Sequence, residues 1–219
     1  MNKNKIKKDR QMSNVKKVNK RAESAKEYLD ALQERYSKLC IVRVDLGYKK
    51  DEKSKKVEVS LDEAINDYNH MMNNKRSKPS IFKDQVGQIC LKEYTSKKGV
   101  HFHAAFMYDG NKVHKGAFKA QQICDYWEEV TENKGSGHNC HSNQYIKNGL
   151  GILDHKDTEK RKIVDENVIN YLFKDDDKQS ISAIESDKKI KVFTRGTLPK
   201  SKDNKGRPRK DLIKNKTKE

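Results

Sequence analysis

Two histidines separated by one phenylalanine stand in the segment "GVHFHAAFMYDG", residues 99–110. Side chains alternate between the faces of a β-strand, so His101 and His103 would share one face and Phe102 would point to the other. Two imidazoles on one face lie close enough to share a divalent cation. An isolated His-x-His motif is also typical of polar residues on a half-exposed strand. A metal site therefore needs a further ligand.

Glu93 is the best candidate for that ligand. Residues 85–112 are typical of two strands joined by a short turn near residues 96–99. Antiparallel pairing around this turn places Glu93 opposite His101 or His103. Two imidazoles and one carboxylate leave coordination positions open, as a catalytic metal requires. These ligands suit Mn²⁺ or Mg²⁺ bound together with a substrate phosphate, and Zn²⁺ remains an alternative.

A second set of reactive side chains lies in "INYLFKDDD", residues 169–177. Tyr171 and Lys174 are three residues apart on a predicted helix, so they face one side. A tyrosine can attack a phosphodiester and keep one end of the cut strand as a phosphotyrosine. The lysine could hold a phosphate or stabilise developing charge. Taken alone, the pair would be better explained as a core aromatic residue beside a solvated cation.

The surrounding sequence predicts the elements that position these residues. "LCIVRVDLGYK" is typical of a first strand, on which Arg43 and Asp45 share a face as an ion pair or near a DNA path. Residues 131–143, which include the His138, Cys140 and His141 of "GHNCH", are predicted to form a polar loop rather than a metal site. Apolar periodicity predicts helices over residues 15–39, 60–74, 117–130 and 157–176, with further strands within 144–155 and 189–196. This mixture predicts an α+β fold: an antiparallel sheet of about five strands with helices packed on one face.

Positive charge is concentrated at the two ends of the 219-residue chain. Residues 1–21 contain nine Lys or Arg and one acid, residues 188–219 contain thirteen and three, and residues 22–187 have a net charge of −1. We therefore expect a basic disordered tail over 1–14, one domain over 15–197 and a basic tail over 198–219. Such ends favour a polyanionic partner, although lysine-rich ends can also serve only solubility.

The C-terminal tail contains "KGRPRK", which resembles the core of a DNA minor-groove-binding hook. Proline fixes an extended backbone that can follow the groove, while Lys205, Arg207 and Arg209 would contact DNA. The four cysteines form no CxxC pair, no apolar segment approaches the length of a membrane span, and no signal peptide is recognisable. We therefore expect a cytoplasmic protein with reduced thiols, no membrane association and no small-molecule cofactor.

Taken together, "HFH", the preceding carboxylate and "YLFK" resemble the HUH endonucleases. Several further segments resemble the inovirus-type replication-protein family, also known as the YagK/YfjJ-type domain: "IVRVDLGY", "LKEYTSKKGVHFHAAFMYDG", "QQICDYWEEV", "NGLGILDH", "VINYLFKDDDKQ" and "FTRGTLPKSKDNKGRPRK". The resemblance places His101 and His103 on the metal histidines, Glu93 on a third ligand, Tyr171 on the nucleophile and Lys174 on its accompanying lysine. Tyr145 is a conceivable second nucleophile.

This resemblance implies a metal-dependent enzyme that nicks and rejoins single-stranded origin DNA to initiate rolling-circle replication of a phage or mobile element. The host replication machinery would then extend the released 3′ hydroxyl. One alternative is a catalytically inactive DNA-binding regulator of a mobile element with the same fold. A basic RNA-binding protein is a second alternative, and a transposase using the same chemistry is a third.

Overall fold

The protein is described by a computed structural model that covers residues 20–141, 149–173 and 190–200. Its centre is a six-stranded antiparallel sheet, accompanied by helices, so the predicted α+β class is confirmed. The strands are β1 (Lys38–Tyr48), β2 (Gln85–Thr95), β3 (Gly99–Asp109), β4 (Gly135–Asn139), β5 (Gly151–Asp154) and β6 (Phe193–Arg195).

The predicted hairpin forms the middle of the sheet. The spatial order is β4-β1-β3-β2-β6, and β5 pairs with the first half of β1 while β4 pairs with its second half. In the hairpin Glu93 lies directly opposite His101, as the turn position predicted. The same strand β3 pairs on its other side with β1, where Asp45 lies opposite His103. Strand β3 therefore places its two histidines between one carboxylate from β2 and one from β1.

All four predicted helices are present at least in part, and a short additional helix was not predicted. The predicted ones are α1 (residues 20–35), α2 (Leu61–Asn73), α4 (Gly116–Val130) and α5 (Thr158–Val164), and the additional one is α3 (Pro79–Phe82). Ser60 caps α2, because its hydroxyl oxygen accepts a hydrogen bond from the backbone N–H of Glu63, and the carboxylate of Asp157 caps α5 by accepting one from the backbone N–H of Lys160. No helix in the described residues is both long and apolar enough to cross a membrane.

Helices cover both faces of the sheet, whereas we expected them on one face. Helices α2, α3 and α4 pack on one face and form a first core with Phe102 and Phe106. Helix α1 and the segment that begins at α5 pack on the other face and form a second core with Ile41 and Met107. The physical reason is that β1 and β3 carry apolar side chains in both alternating sets, so neither face can remain in water.

Strand β4 lies inside the segment that we predicted to be a loop. Its sequence "GSGHN" has no β-branched or aromatic residue, so the usual signal for a strand is absent. The small residues are needed because α4 lies directly against them. A Cβ atom on Gly137 would lie only 2.5 Å from the Cβ of Cys124 and 2.8 Å from its Cα. The close approach to α4, rather than strand propensity, explains the glycines.

The helix that was predicted over residues 157–176 changes its hydrogen-bond pattern midway. After α5, residues Asp165–Asn170 form a π-helix, and helical structure continues through Tyr171 and Leu172. Val168, Ile169 and Leu172 remain buried in the second core. Segments of π-helix are rare and occur frequently at functional sites, and this one leads directly to the predicted nucleophile.

The chain after β6 runs beside α1. Arg195 Nε donates to the Ser24 hydroxyl at 3.0 Å, and Arg35 Nη1 donates to the Lys200 carbonyl at 3.2 Å. Residue 200 therefore lies near the end of α1, whereas residue 20 is the first described residue of that helix. Residues 20 and 200 thus lie near opposite ends of the described part of one helix.

Candidate metal centre

Glu93, His101 and His103 converge on one face of the sheet. Their ligand atoms all lie within 4.8 Å of one another, so the group could hold a metal ion. Glu93 Oε2 lies 3.2 Å from His101 Nε2 and 3.0 Å from His103 Nε2. Their side chains are only 7%, 11% and 13% exposed, respectively. The structure thus brings together the three residues that the sequence predicted as metal ligands.

Phe102 anchors the strand that carries the two histidines. Its ring stacks on Tyr68 with centroids 4.7 Å apart and meets Trp127 edge-on at 5.6 Å in the first core. Because side chains alternate along β3, burying Phe102 directs both imidazoles toward the opposite face. The hydrophobic residue between the histidines therefore determines which way the ligands point.

Each imidazole is oriented by a hydrogen bond from its other nitrogen. His101 Nδ1 lies 3.2 Å from the Gly99 carbonyl and His103 Nδ1 lies 2.7 Å from Asp45 Oδ1. A carbonyl and a carboxylate can only accept, so Nδ1 is the donor in both rings. Both Nε2 atoms therefore face Glu93, and this arrangement of ligands with outer hydrogen-bond partners fits a bound divalent cation.

The electrostatics of His103 also favour a cation at this point. Burial disfavours its charged form, but hydrogen bonds and charges from Asp45 and Glu93 outweigh burial and raise the pKa of His103 above its usual value. For Asp45, burial acts to raise the pKa. The hydrogen bond and charge of His103, together with those of Arg43, outweigh burial and lower the pKa of Asp45 to about 2. Two carboxylates thus surround His103, and a metal ion could replace the proton between its Nε2 and Glu93.

A buried arginine connects this cluster with the predicted nucleophile. Arg43 is 9% exposed, and its Nη2 lies 3.2 Å and 3.3 Å from the two carboxylate oxygens of Asp45. Its guanidinium carbon lies 4.1 Å from the centre of the Tyr171 ring, within cation–π range. Tyr171 is 46% exposed, so it is not the core aromatic residue of the alternative interpretation. It lies on the same face of the sheet as the cluster, beside solvent.

Several predicted site residues lie outside the described residues. These are Lys174, the alternative nucleophile Tyr145, and the DNA-binding residues Lys205, Arg207 and Arg209. In "GHNCH", His138 belongs to strand β4 and lies opposite Asp45 of β1 in the sheet register. Burial raises the pKa of the Cys140 thiol to about 12. Among the described residues, Glu93, His101 and His103 form the one group with ligand atoms close enough to share an ion.

From the sequence, Asp45 and Arg43 were predicted only as an ion pair or as residues near a DNA path, although both are central to the site. The one indication in the sequence was two charged side chains on the same face of an otherwise apolar strand. Their connection to the metal cluster follows only from the pairing of β1 with β3, which places Asp45 opposite His103.

Comparison with known families gives a match over most of the chain. The model of the YagK/YfjJ C-terminal domain matches residues 1–186. The chain belongs to this family. The matched region includes the three cluster residues and also Asp45 and Tyr171. It ends before the basic segment over 198–219. No curated protein and no solved structure gives a significant match.

Proposed function

We propose that this YagK/YfjJ-family protein is an HUH-type endonuclease of the inovirus-type replication-protein kind. It would nick and join single-stranded DNA and thereby initiate rolling-circle replication of a phage or mobile element. One observation carries the proposal. A half-exposed tyrosine lies on the same face of the sheet as a histidine–carboxylate group suited to a divalent cation, and Asp45 and Arg43 connect the two.

Glu93, His101 and His103 would hold the ion, and Mn²⁺ or Mg²⁺ suits both these ligands and a phosphodiester substrate. When bound, the ion would polarise the scissile phosphate. Three protein ligands would leave coordination positions for substrate or water oxygens. The small number of protein ligands therefore supports a catalytic rather than a purely structural ion.

Tyr171 would act as the nucleophile. Its phenol oxygen would attack the phosphorus atom and lose its proton to solvent, while the bond from phosphorus to the 3′ oxygen breaks. The 3′ oxygen takes up a proton and leaves as a hydroxyl, and the 5′ phosphate stays on the tyrosine. Attack by a 3′ hydroxyl on this phosphotyrosine would run the same step backwards and join two ends. Lys174, three residues further on, would stabilise the charge on the phosphate.

The partners would be single-stranded origin DNA and the host replication machinery. The basic segments at both ends of the chain support a polyanionic partner, and Lys205, Arg207 and Arg209 would contact the DNA. A catalytically inactive regulator with the same fold would bind DNA equally well. Covalent chemistry at Tyr171 therefore decides between the two functions.

The deciding experiment is capture of a covalent protein–DNA species. The full chain is incubated with single-stranded origin DNA of the element that encodes it and with Mn²⁺, and adducts are separated on a denaturing gel. We expect the wild type to form an adduct whose modified peptide contains Tyr171, and Tyr171→Phe to bind DNA without forming it.

Tyr94→Phe is the matched control, because Tyr94 packs on the first core at the opposite face of the same hairpin. This variant should form the adduct like the wild type. An adduct that persists in Tyr171→Phe would assign the nucleophile to another residue, with Tyr145 the next to test. Binding by the wild type without any adduct would favour the inactive regulator.

A further inference from the structure

The contacts between the metal cluster and Tyr171 form one continuous chain of side chains. Asp45 Oδ1 is shared, because it lies 2.7 Å from His103 Nδ1 and 3.2 Å from Arg43 Nη2. The guanidinium of Arg43 then packs against the Tyr171 ring at 4.1 Å. We name Asp45 and Arg43 together the Asp–Arg bridge.

Arg43 occupies a position that would ordinarily hold an apolar side chain. It follows Leu39 and Ile41 on the face of β1 that forms the second core, and it is almost fully buried. Within the part of the chain that the structure describes, Asp45 is its carboxylate partner, and its Nε atom has no hydrogen-bond partner. A buried guanidinium with an unsatisfied donor costs stability, so its presence points to a role other than packing.

The planar shape of arginine explains why this residue type is present. A guanidinium can offer one edge to a carboxylate while its flat surface lies against an aromatic ring. A lysine ammonium could keep the charge beside Asp45 but could not make both contacts at once. The bridge therefore fixes the tyrosine ring by geometry as well as by charge.

We propose that Arg43 is a positioning residue for Tyr171, and that the Asp–Arg bridge couples cation binding at Glu93, His101 and His103 to the orientation of the Tyr171 ring. A cation at His103 Nε2 makes the Nδ1–H a stronger donor toward Asp45, and Asp45 in turn holds Arg43. Coupling between two sites is reciprocal, so a fixed Tyr171 would also favour the bound ion. The catalytic consequence rests on the proposed function, whereas the coupling itself requires only the metal site.

The test places 3-fluorotyrosine at position 171 of the full chain and records its fluorine resonance while Mg²⁺ alone is added. Binding of Mg²⁺ is measured in parallel by calorimetry. In the otherwise unchanged chain, we expect Mg²⁺ to shift or sharpen the resonance in proportion to its occupancy of the site. With Arg43→Lys, Mg²⁺ should still bind but the resonance should respond little or not at all. Arg43→Gln and Asp45→Asn give the same readout if the lysine variant folds poorly.

Arg195→Lys is the matched control. Arg195 also packs on a tyrosine, with its guanidinium carbon 5.4 Å from the ring centre of Tyr28, but it has no contact with the cluster. Its replacement should leave the fluorine response unchanged. A normal response in Arg43→Lys, or bound Mg²⁺ without any response in the unchanged chain, would overturn the proposal. Absence of Mg²⁺ binding would overturn the proposal, and absence of Mn²⁺ binding as well would overturn the metal site.

A kinetic measurement separates this inference from the proposed function. With unmodified tyrosine, Arg43→Lys should form the covalent DNA adduct about tenfold more slowly or worse at saturating DNA and metal, with DNA affinity unchanged. If the wild type forms no adduct while the fluorine response depends on Arg43, the bridge stands and the nicking function fails. If Arg43→Lys forms the adduct at the wild-type rate, the nicking function stands and the positioning role fails.

Discussion

At the scale of single residues, the site is a line of alternating acidic and basic side chains that spans three strands. Glu93, His103, Asp45 and Arg43 come from β2, β3 and β1, and each contacts the next within 3.3 Å. Each carboxylate in this line contacts a basic side chain, which offsets the cost of removing the carboxylate from water. The two histidines have different hydrogen-bond partners: His101 is held by the Gly99 carbonyl and His103 by Asp45.

Removing either imidazole should weaken metal binding. We expect His101→Ala and His103→Ala each to reduce the affinity for Mn²⁺ by at least the ~10–100-fold that follows loss of an outer hydrogen-bond partner at metal sites. Titration calorimetry of the full chain measures the effect. His155→Ala is the control, because that ring contacts the Ser37 carbonyl at the end of β5 and is not part of the cluster. Unchanged affinity in both cluster variants would contradict the ligand assignment.

At the scale of elements, the sheet positions the candidate metal ligands and the segment that begins at α5 positions the candidate nucleophile. Strands β2 and β3 are joined by a short turn, so their register is set locally. Strand β1 reaches β3 from the other side of the hairpin and contributes Asp45. The π-helix then delivers Tyr171 to the same face, while its neighbour Leu172 remains in the second core.

Strand β4 depends on small residues, and this makes a sharp prediction about stability. The added methyl group in Gly137→Ala would collide with both the side chain and the backbone of Cys124, so β4 and α4 must separate. We expect a loss of about 1–3 kcal/mol in the free energy of unfolding, measured by urea denaturation. Gly47→Ala is the control, because its nearest neighbour would be the Cβ of His101 at an ordinary 3.6 Å. Equal stability of the two variants would show that β4 does not pack as described.

The ligand group could be predicted from sequence because everything that determines it is local. Strand alternation places His101 with His103, and a short turn fixes Glu93 opposite them. The Asp–Arg bridge could not be predicted, since it depends on which strand pairs with the far edge of β3, a contact between residues 58 positions apart. Strand β4 was missed because its glycines are selected by close packing against α4 and not by strand propensity. Helices on the second face were missed because the consecutive apolar residues of β1 were not recognised as covering both faces of the sheet.

At the scale of the whole molecule, a nearly neutral body carries two strongly basic ends. Residues 22–187 have a net charge of −1, whereas each terminal region carries a large excess of Lys and Arg. Under the proposed function, positive charge at the ends of the chain would bind DNA without adding cations near Glu93, His101 and His103. DNA binding and catalysis would then depend on different parts of the chain.

Deletion of residues 200–219 should therefore weaken binding to single-stranded DNA and flatten its dependence on salt, because fewer counterions are released. Fluorescence anisotropy across a series of salt concentrations measures both quantities. The control replaces four exposed lysines of the loop between β1 and α2 with glutamine: Lys50, Lys53, Lys55 and Lys56. If the deletion leaves the slope unaltered, or if the loop variant lowers it equally, the tail has no specific part in binding.

Residues 20 and 200, the described residues nearest the two basic ends, lie near opposite ends of α1, about 22 Å apart for fifteen helical steps. If both basic ends bind DNA, as the proposed function requires, the protein would be bivalent toward a long strand. When one end dissociates, the other would keep the strand at high local concentration, so the first could rebind before the complex separates. A long strand would consequently dissociate far more slowly than one too short to reach both tails.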